Sequence, residues 1–248
     1  MAMIQRKSNL SHRVTQELGR AIVCGDYSPA GPFPTEAELC LEFGVSRTAV
    51  REAVKMLSAK GLVASKPRQG IRIMPEEDWN ILDPDLLRWS LEGTPTRRVL
   101  KEFFQMRIAI EPEAAALGAR FSRLDRKKAI ADALARMRAA PSNSAESRAA
   151  DVDFHIAILY ATENRFYIRM RDFIRTALDV SIHFTTPGAG EYGDTVDAHA
   201  KVYRAIDNGD SERARHSMYT LIDDALVYIE EESADVRQSV RHGEENVG

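Results

Sequence analysis

Pro34-Thr35-Glu36-Ala37-Glu38-Leu39 leads through Phe43-Gly44-Val45-Ser46-Arg47-Thr48-Ala49-Val50-Arg51-Glu52-Ala53 into Lys60-Gly61-Leu62-Val63 and then Pro67-Arg68-Gln69-Gly70. This order predicts a helix, a tight turn, a second helix and a short hairpin. Gly44 supplies the permissive turn between the helices, and Ser46 is a good N-cap whose hydroxyl can take an orphan backbone N–H. Along the second helix Val50, Val54 and Leu57 share one face and need a core, while Arg47, Thr48 and Arg51 fall on another. Long donors at a helix N-terminus, where the backbone amides and the helix dipole also favour phosphate, suit entry into a DNA major groove. Arg can fork onto guanine or phosphate, and Ser or Thr can reach backbone oxygens. Leu62-Val63-Ala64 and Ile71-Arg72-Ile73 then read as two short strands. The basic tip between them, Lys66-Pro67-Arg68-Gln69-Gly70, suits a wing laid along or into the minor groove.

Charge is distributed accordingly. The 248-residue chain has a net charge of −3, but residues 1–75 hold 11 Lys and Arg against 6 Asp and Glu, and the remainder 23 against 31. A basic head on an acidic body is the pattern of a nucleic-acid-binding module joined to something else. The length accommodates two modest domains. The two cysteines, Cys24 and Cys40, have neither the number nor the spacing of a disulfide framework or zinc knuckle and are expected as reduced core residues. Met1 to Asn9 lacks the apolar stretch of a signal peptide, and no uncharged run is long enough to span a bilayer, so the protein is expected in the cytoplasm with no membrane partner.

Outward from the motif, residues 1–9 are expected as a loose arm and 10–75 as the DNA-binding domain, whose first helix runs from about Leu10 to Cys24 on Val14, Leu18 and Ile22. Residues 76–95 read as a linker: Pro84 fits the first turn of a helix capped by Asp83, and Trp79, Trp89 and several Leu dock the head on the body. From 96 to 233 helical periods dominate, with helices expected over about 96–119, 123–139, 145–162, 164–183, 194–208 and 210–232. Together they predict an all-α antiparallel bundle. Residues 234–248 form a polar tail. The fold class is mainly α: a winged helix-turn-helix followed by a helical domain.

Within the bundle, polar residues interrupt faces that should be apolar. Asp151 and His155 lie one turn apart on a helix that also carries Phe154, Ile158 and Leu159. Thr195 and His199 lie one turn apart on a later helix, and Arg107 sits among Phe103, Phe104, Ile108 and Ile110. Buried groups of this kind need partners. An Asp with two His suits a zinc-, nickel- or manganese-like ion, and Arg suits a carboxylate. Buried hydrogen bonding is the plainer account of the same spacing.

Positions 10–74 resemble the winged helix-turn-helix of the GntR family of bacterial transcription regulators. The pattern is Leu-Pro-x-Glu-x-x-Leu, then Val-Ser-Arg-Thr-x-Val-Arg-Glu-Ala, then Lys-Gly-Leu-Val and a wing ending in Gly. This chain departs from it at Phe33, in place of Leu, and at Ala37, where many members place an Arg that touches DNA. The resemblance implies DNA contacts among Thr35, Glu36, Ser46, Arg47, Thr48, Arg51, Lys66, Arg68, Gln69 and Gly70. Residues 97–228 resemble the helical FCD effector domain of the FadR subfamily, in which an Asp-x-x-x-His pair and two later His commonly hold a metal beside a small carboxylate. Asp151, His155 and His199 match the first three ligands, and Arg107, in an Arg-x-x-x-Glu-Pro pattern, matches a cavity Arg. The fourth ligand position falls at Leu221. His216 is five residues away, a rotation of roughly 140° on a helix. Either a weakly held metal is completed by the effector, or these residues hold a polar effector directly. The missing ligand favours the direct pocket. His183 at a helix end could reach the rim or be solvated.

Pro34-x-Glu36-Ala37-Glu38-Leu39-Cys40, Trp79-Asn80-x-Leu82-Asp83 with a second Trp, and Thr195-x-x-x-His199 resemble the members that control galactonate catabolism. That implies a hexonate-like sugar acid as effector, bound by Arg107, Asp151, His155, Thr195 and His199, whose donors and acceptors suit a polyhydroxy acid. The expected protein is a homodimeric repressor on pseudo-palindromic double-stranded operator DNA, released by its effector. Two rivals stand beside it. One is an enzyme using two His and one carboxylate for iron, which an attached DNA-binding head makes odd. The other is a metal-responsive regulator, against which Leu221 counts. A long-chain acyl effector does not suit so polar a pocket.

Overall fold

The computed structural model describes residues 2–28, 31–66, 69–91, 97–185 and 192–227. The chain divides into two compact units, 1–93 and 94–248.

The N-terminal unit contains α1 (Ala2–Val23), α2 (Glu36–Phe43), α3 (Arg47–Ala59), β1 (Val63–Lys66), β2 (Gly70–Ile73) and α4 (Pro84–Leu91). From Ala2 onward the segment expected as a loose arm is part of α1. The punctuation of the quoted stretch works as its chemistry dictates. Thr35 caps α2 in a reciprocal box: its hydroxyl accepts from the Glu38 backbone N–H, and the Glu38 carboxylate accepts from the Thr35 backbone N–H at 2.7 Å. Gly44 closes α2 in the left-handed region at φ +62°, which a residue without Cβ adopts at little cost. The Ser46 hydroxyl accepts from the Ala49 N–H at 3.3 Å and starts α3. The wing is an antiparallel pair with Val63 opposite Ile73 and Lys66 opposite Gly70. Its alternation buries Val63, Ile71 and Ile73 against the Leu18, Ile22, Leu39, Val50, Val54 and Leu57 core.

The segment expected to dock the two domains together belongs instead to this core. Asp83 does cap the helix that Pro84 begins, its carboxylate accepting from the Asp85 N–H at 3.0 Å. The helix then buries Leu86 and Trp89 among the side chains of α1 and α3. The Trp89 indole N–H donates to the Gln16 amide oxygen at 3.0 Å, and a Cβ added at Gly19 would run into the six-membered ring of Trp89. Lys60, just past the end of α3, reaches back to Asp83 (2.6 Å) and Asp85 (2.9 Å). The cysteines depart from expectation: Cys24 is exposed beyond the end of α1, and Cys40 is half-buried.

The C-terminal unit contains α5 (Arg97–Phe121), α6 (Leu124–Ala139), α7 (Ala145–Ala161), α8 (Arg165–Arg169), α9 (Arg171–Thr185), α10 (Tyr192–Asp207) and α11 (211–227). The span expected as one helix over 164–183 is two, separated at Met170. Helix α7, capped by Ser144, packs against α5, α6 and α9, and α10 packs against α5 and α6. So enclosed, α7 buries Val152, Phe154, His155, Ile156, Ile158 and Leu159 around much of its circumference. No described helix is long and apolar enough to cross a membrane. Arg68 and the tail from residue 228 lie outside the described residues, as does the side chain of His183.

Candidate functional site

Two sets of residues carry the chemistry, one in each unit. In the first, the buried Ala49, Val50, Ala53, Val54 and Leu57 turn the opposite face of α3 outward, leaving Arg47, Thr48 and Arg51 exposed. The Arg51 Nε donates to Glu36 Oε2 at 2.9 Å across the gap between α3 and α2. A carboxylate repels phosphate, so Glu36 aims Arg51 and is itself a poor backbone contact. The Thr35 hydroxyl is committed to the capping box. At the wing tip Lys66, Gln69 and Gly70 are exposed. The Gln69 N–H bonds the Lys66 carbonyl at 3.1 Å, and Gly70 adopts φ +75° to turn the chain.

In the second unit α5, α7 and α10 bring together five of the expected residues. Asp151, His155 and His199 each offer a ligand atom, all within 4.8 Å of one another. Both imidazoles are almost wholly buried, and Asp151 keeps 19 % side-chain exposure. The ring Nδ1 of His199 lies 2.8 Å from the Thr195 carbonyl, which only accepts, so Nδ1 carries a proton and Nε2 is turned to the interior. That buried Nε2 has no hydrogen-bond partner among the described residues and stands 3.5 Å from Asp151 Oδ1. His155 Nε2 approaches the same Asp151 oxygen at 3.3 Å. The edge of Phe154 packs beside both rings, and Arg107 lies over Phe103 and Phe104, so the surroundings are apolar.

The residue that the sequence reading passes over is Glu111. It lies one turn along α5 from Arg107 and is 1 % exposed. Its Oε1 accepts from Arg107 Nε at 2.6 Å, and its Oε2 meets His155 Nδ1 in a very short contact. Burial alone would raise the Glu111 carboxyl, but the charges of Arg107 and then His155 hold it down to about 2. Burial works equally against ionised Asp151, and His199 and His155 more than offset it, keeping its carboxyl below the usual range. Burial, and after it the Arg107 charge, pull His155 down, but the Glu111 charge together with hydrogen bonding to Asp151 and Glu111 outweighs both and raises it. The charge of Arg107 is thus already matched by Glu111. With Asp151 ionised, the cluster has no surplus positive charge even when His155 is protonated.

These donors fit a divalent ion. Two imidazole nitrogens and a carboxylate converge, an orphaned buried nitrogen points inward, and a three-ligand set leaves open positions. At the expected fourth position Leu221 is half-buried, and His216 is exposed on α11.

An exposed basic helix end beside a hairpin tip, joined to an all-helical unit with an internal polar site, defines a winged helix-turn-helix regulator with a second, helical domain. Residues 10–73 match the bacterial regulatory proteins of the gntR family, and residues 102–224 match the FCD domain. The chain belongs to the GntR family of bacterial transcription regulators, with the FadR-like arrangement of an N-terminal DNA-binding domain and an FCD domain. It is 35% identical to the uncharacterized HTH-type transcriptional regulator YieP of Escherichia coli (strain K12), over 87% of this chain and 94% of that one. It is 31% identical to the galactonate operon transcriptional repressor of the same organism, over 86% and 94%. Its fold is also that of Streptococcus agalactiae GntR, at a TM-score of 0.50 and 21% identity over 87% of this chain and 98% of that one. The matched domains and these relatives are transcription regulators, not enzymes.

Proposed function

We propose that this DNA-binding regulator is a homodimeric repressor of a sugar-acid catabolic operon, released from a pseudo-palindromic operator by a hexonate-like carboxylate bound in the FCD domain. Arg47, Thr48, Arg51 and the wing residues Lys66, Arg68, Gln69 and Gly70 supply the DNA contacts, with Ser46 and Thr35 fixing the helix ends that present them. Asp151, His155 and His199 hold a divalent ion, and Arg107 and Thr195 complete the effector pocket. The observation that carries this reading is the buried, unpartnered His199 Nε2 converging with His155 and Asp151. A metal supplies the positive charge that an anionic effector requires and that Arg107, paired with Glu111, cannot spare. The similarity to a galactonate operon repressor supports the choice of effector class. Release follows by linkage: an effector that prefers the off-DNA conformation lowers operator affinity by its ratio of affinities for the two states.

Thermal unfolding of chelator-stripped protein against hexonates and divalent metals, singly and paired, tests the reading alongside operator binding. A ligand that binds only the folded form raises the midpoint by mass action. The expected outcome is a rise with zinc, nickel or manganese, a larger one with metal plus hexonate, and loss of both in His199→Ala. The pair should also release operator DNA. Stabilisation by hexonate without metal would instead favour the direct polar pocket. Release of DNA by metal alone would make the protein a metal-responsive regulator.

A further inference from the structure

We infer that Glu111 is the positioning residue of the FCD site: its carboxylate fixes the His155 proton on Nδ1 and so keeps the Nε2 lone pair available to a metal, an inference that rests on the metal reading above. No ligand atom comes from Glu111 itself; it acts through the ring. An ionised carboxylate only accepts hydrogen bonds, so the contact of Glu111 Oε2 with His155 Nδ1 requires that nitrogen to be the donor. The other oxygen is not free to rearrange, because Arg107 Nε, which can only donate, occupies it at 2.6 Å. Glu111 is thus clamped between two donors in a fully buried position. The Thr195 carbonyl does the same for His199 at 2.8 Å. Both rings consequently turn Nδ1 outward onto an acceptor and Nε2 inward, toward Asp151 at 3.3 and 3.5 Å. Arg107 Nη2 also faces His155 Nε2, at 3.3 Å, and is a donor that a bound ion would displace. A neighbour that settles which imidazole nitrogen carries the proton settles whether the ring can ligate at all.

The same logic makes Glu111→Gln a sharp probe, since it changes shape very little. An amide has one accepting oxygen, and Glu111 serves two donors. If that oxygen stays with Arg107, the NH2 group faces His155 Nδ1. The ring must then accept there and move its proton to Nε2, the ligating atom. If the amide flips, its NH2 confronts the Arg107 Nε–H, donor against donor. Neither arrangement keeps both bonds.

The experiment uses full-length, chelator-stripped protein, wild type and Glu111→Gln, with zinc affinity measured by competition against a chromophoric chelator. Nitrogen-15 histidine spectra of the metal-free proteins at alkaline pH, where the ring is neutral, report which nitrogen holds the proton. We expect the wild-type His155 ring to be protonated on Nδ1, the variant ring on Nε2, and zinc affinity to fall by roughly 10- to 100-fold. Equal zinc affinity in the two proteins would overturn the assignment. So would a wild-type ring already protonated on Nε2, a result that needs no variant and stands even if Glu111→Gln fails to fold. Wild-type protein that binds no zinc would overturn the metal reading, and the ring spectra would then decide the role of Glu111 separately.

Discussion

Arg51 shows how a single side chain is prepared for a partner. It is exposed, yet it is held from behind by Glu36 at 2.9 Å, which limits where its guanidinium can point before DNA arrives. If Arg51 forks onto a base edge, Arg51→Ala should weaken operator binding by about 1–3 kcal/mol and relax preference at one position. If it contacts phosphate, the loss should be uniform across sequences, with the salt slope reduced by about 1. Fluorescence-anisotropy titrations over operator variants and salt concentrations separate the two, and wild-type affinity in the variant would remove Arg51 from the interface. At this scale the sequence is legible where polarity interrupts an apolar face: Arg107, Asp151, His155 and His199 stand out and do meet in space. Glu111 does not stand out, because Arg-x-x-x-Glu on a helix is also the spacing of an ordinary solvated ion pair. Only its burial, contributed by helices remote in sequence, distinguishes it.

Helix α4 carries the corresponding lesson for elements. Its start is written locally, in the Asp83 cap and Pro84, and a helix duly begins there. Which surface it buries is not written in its own residues, and an amphipathic helix between two domains can face either. The deciding complement lies at Gly19, where the missing side chain leaves room for the Trp89 ring. Gly19→Ala should therefore destabilise the N-terminal unit, by about 1–3 kcal/mol as an overpacked contact, even though alanine is intrinsically the better helix former. Chemical denaturation followed by far-ultraviolet dichroism measures this. An unchanged or raised midpoint would mean that Trp89 can withdraw without cost. The break at Met170 is not written locally either: α8 and α9 have continuous helical composition across it.

For the molecule as a whole, the division at Gly93–Thr94 places α4 with the DNA-binding unit rather than in a linker. A fragment of residues 1–93 should melt as one cooperative transition, whereas residues 1–75 would lose Leu86 and Trp89 from the core. Removing a large buried side chain alone costs about 3–5 kcal/mol, much of the stability of a small domain, so the shorter fragment should be largely unfolded. Comparable midpoints for the two fragments would return α4 to the status of a linker.

The position of Trp89 has an optical consequence. The chain's two tryptophans, Trp79 and Trp89, both pack on the core of the DNA-binding unit, and the sequence from Thr94 onward contains none. Selectively excited tryptophan emission therefore arises in the DNA-binding unit and not in the FCD domain. A ligand that enters there changes this light only if its effect reaches the DNA-binding unit. Calorimetry would count occupancy while emission counts transmission, so the unlabelled protein reports separately whether a message is received and whether it is delivered.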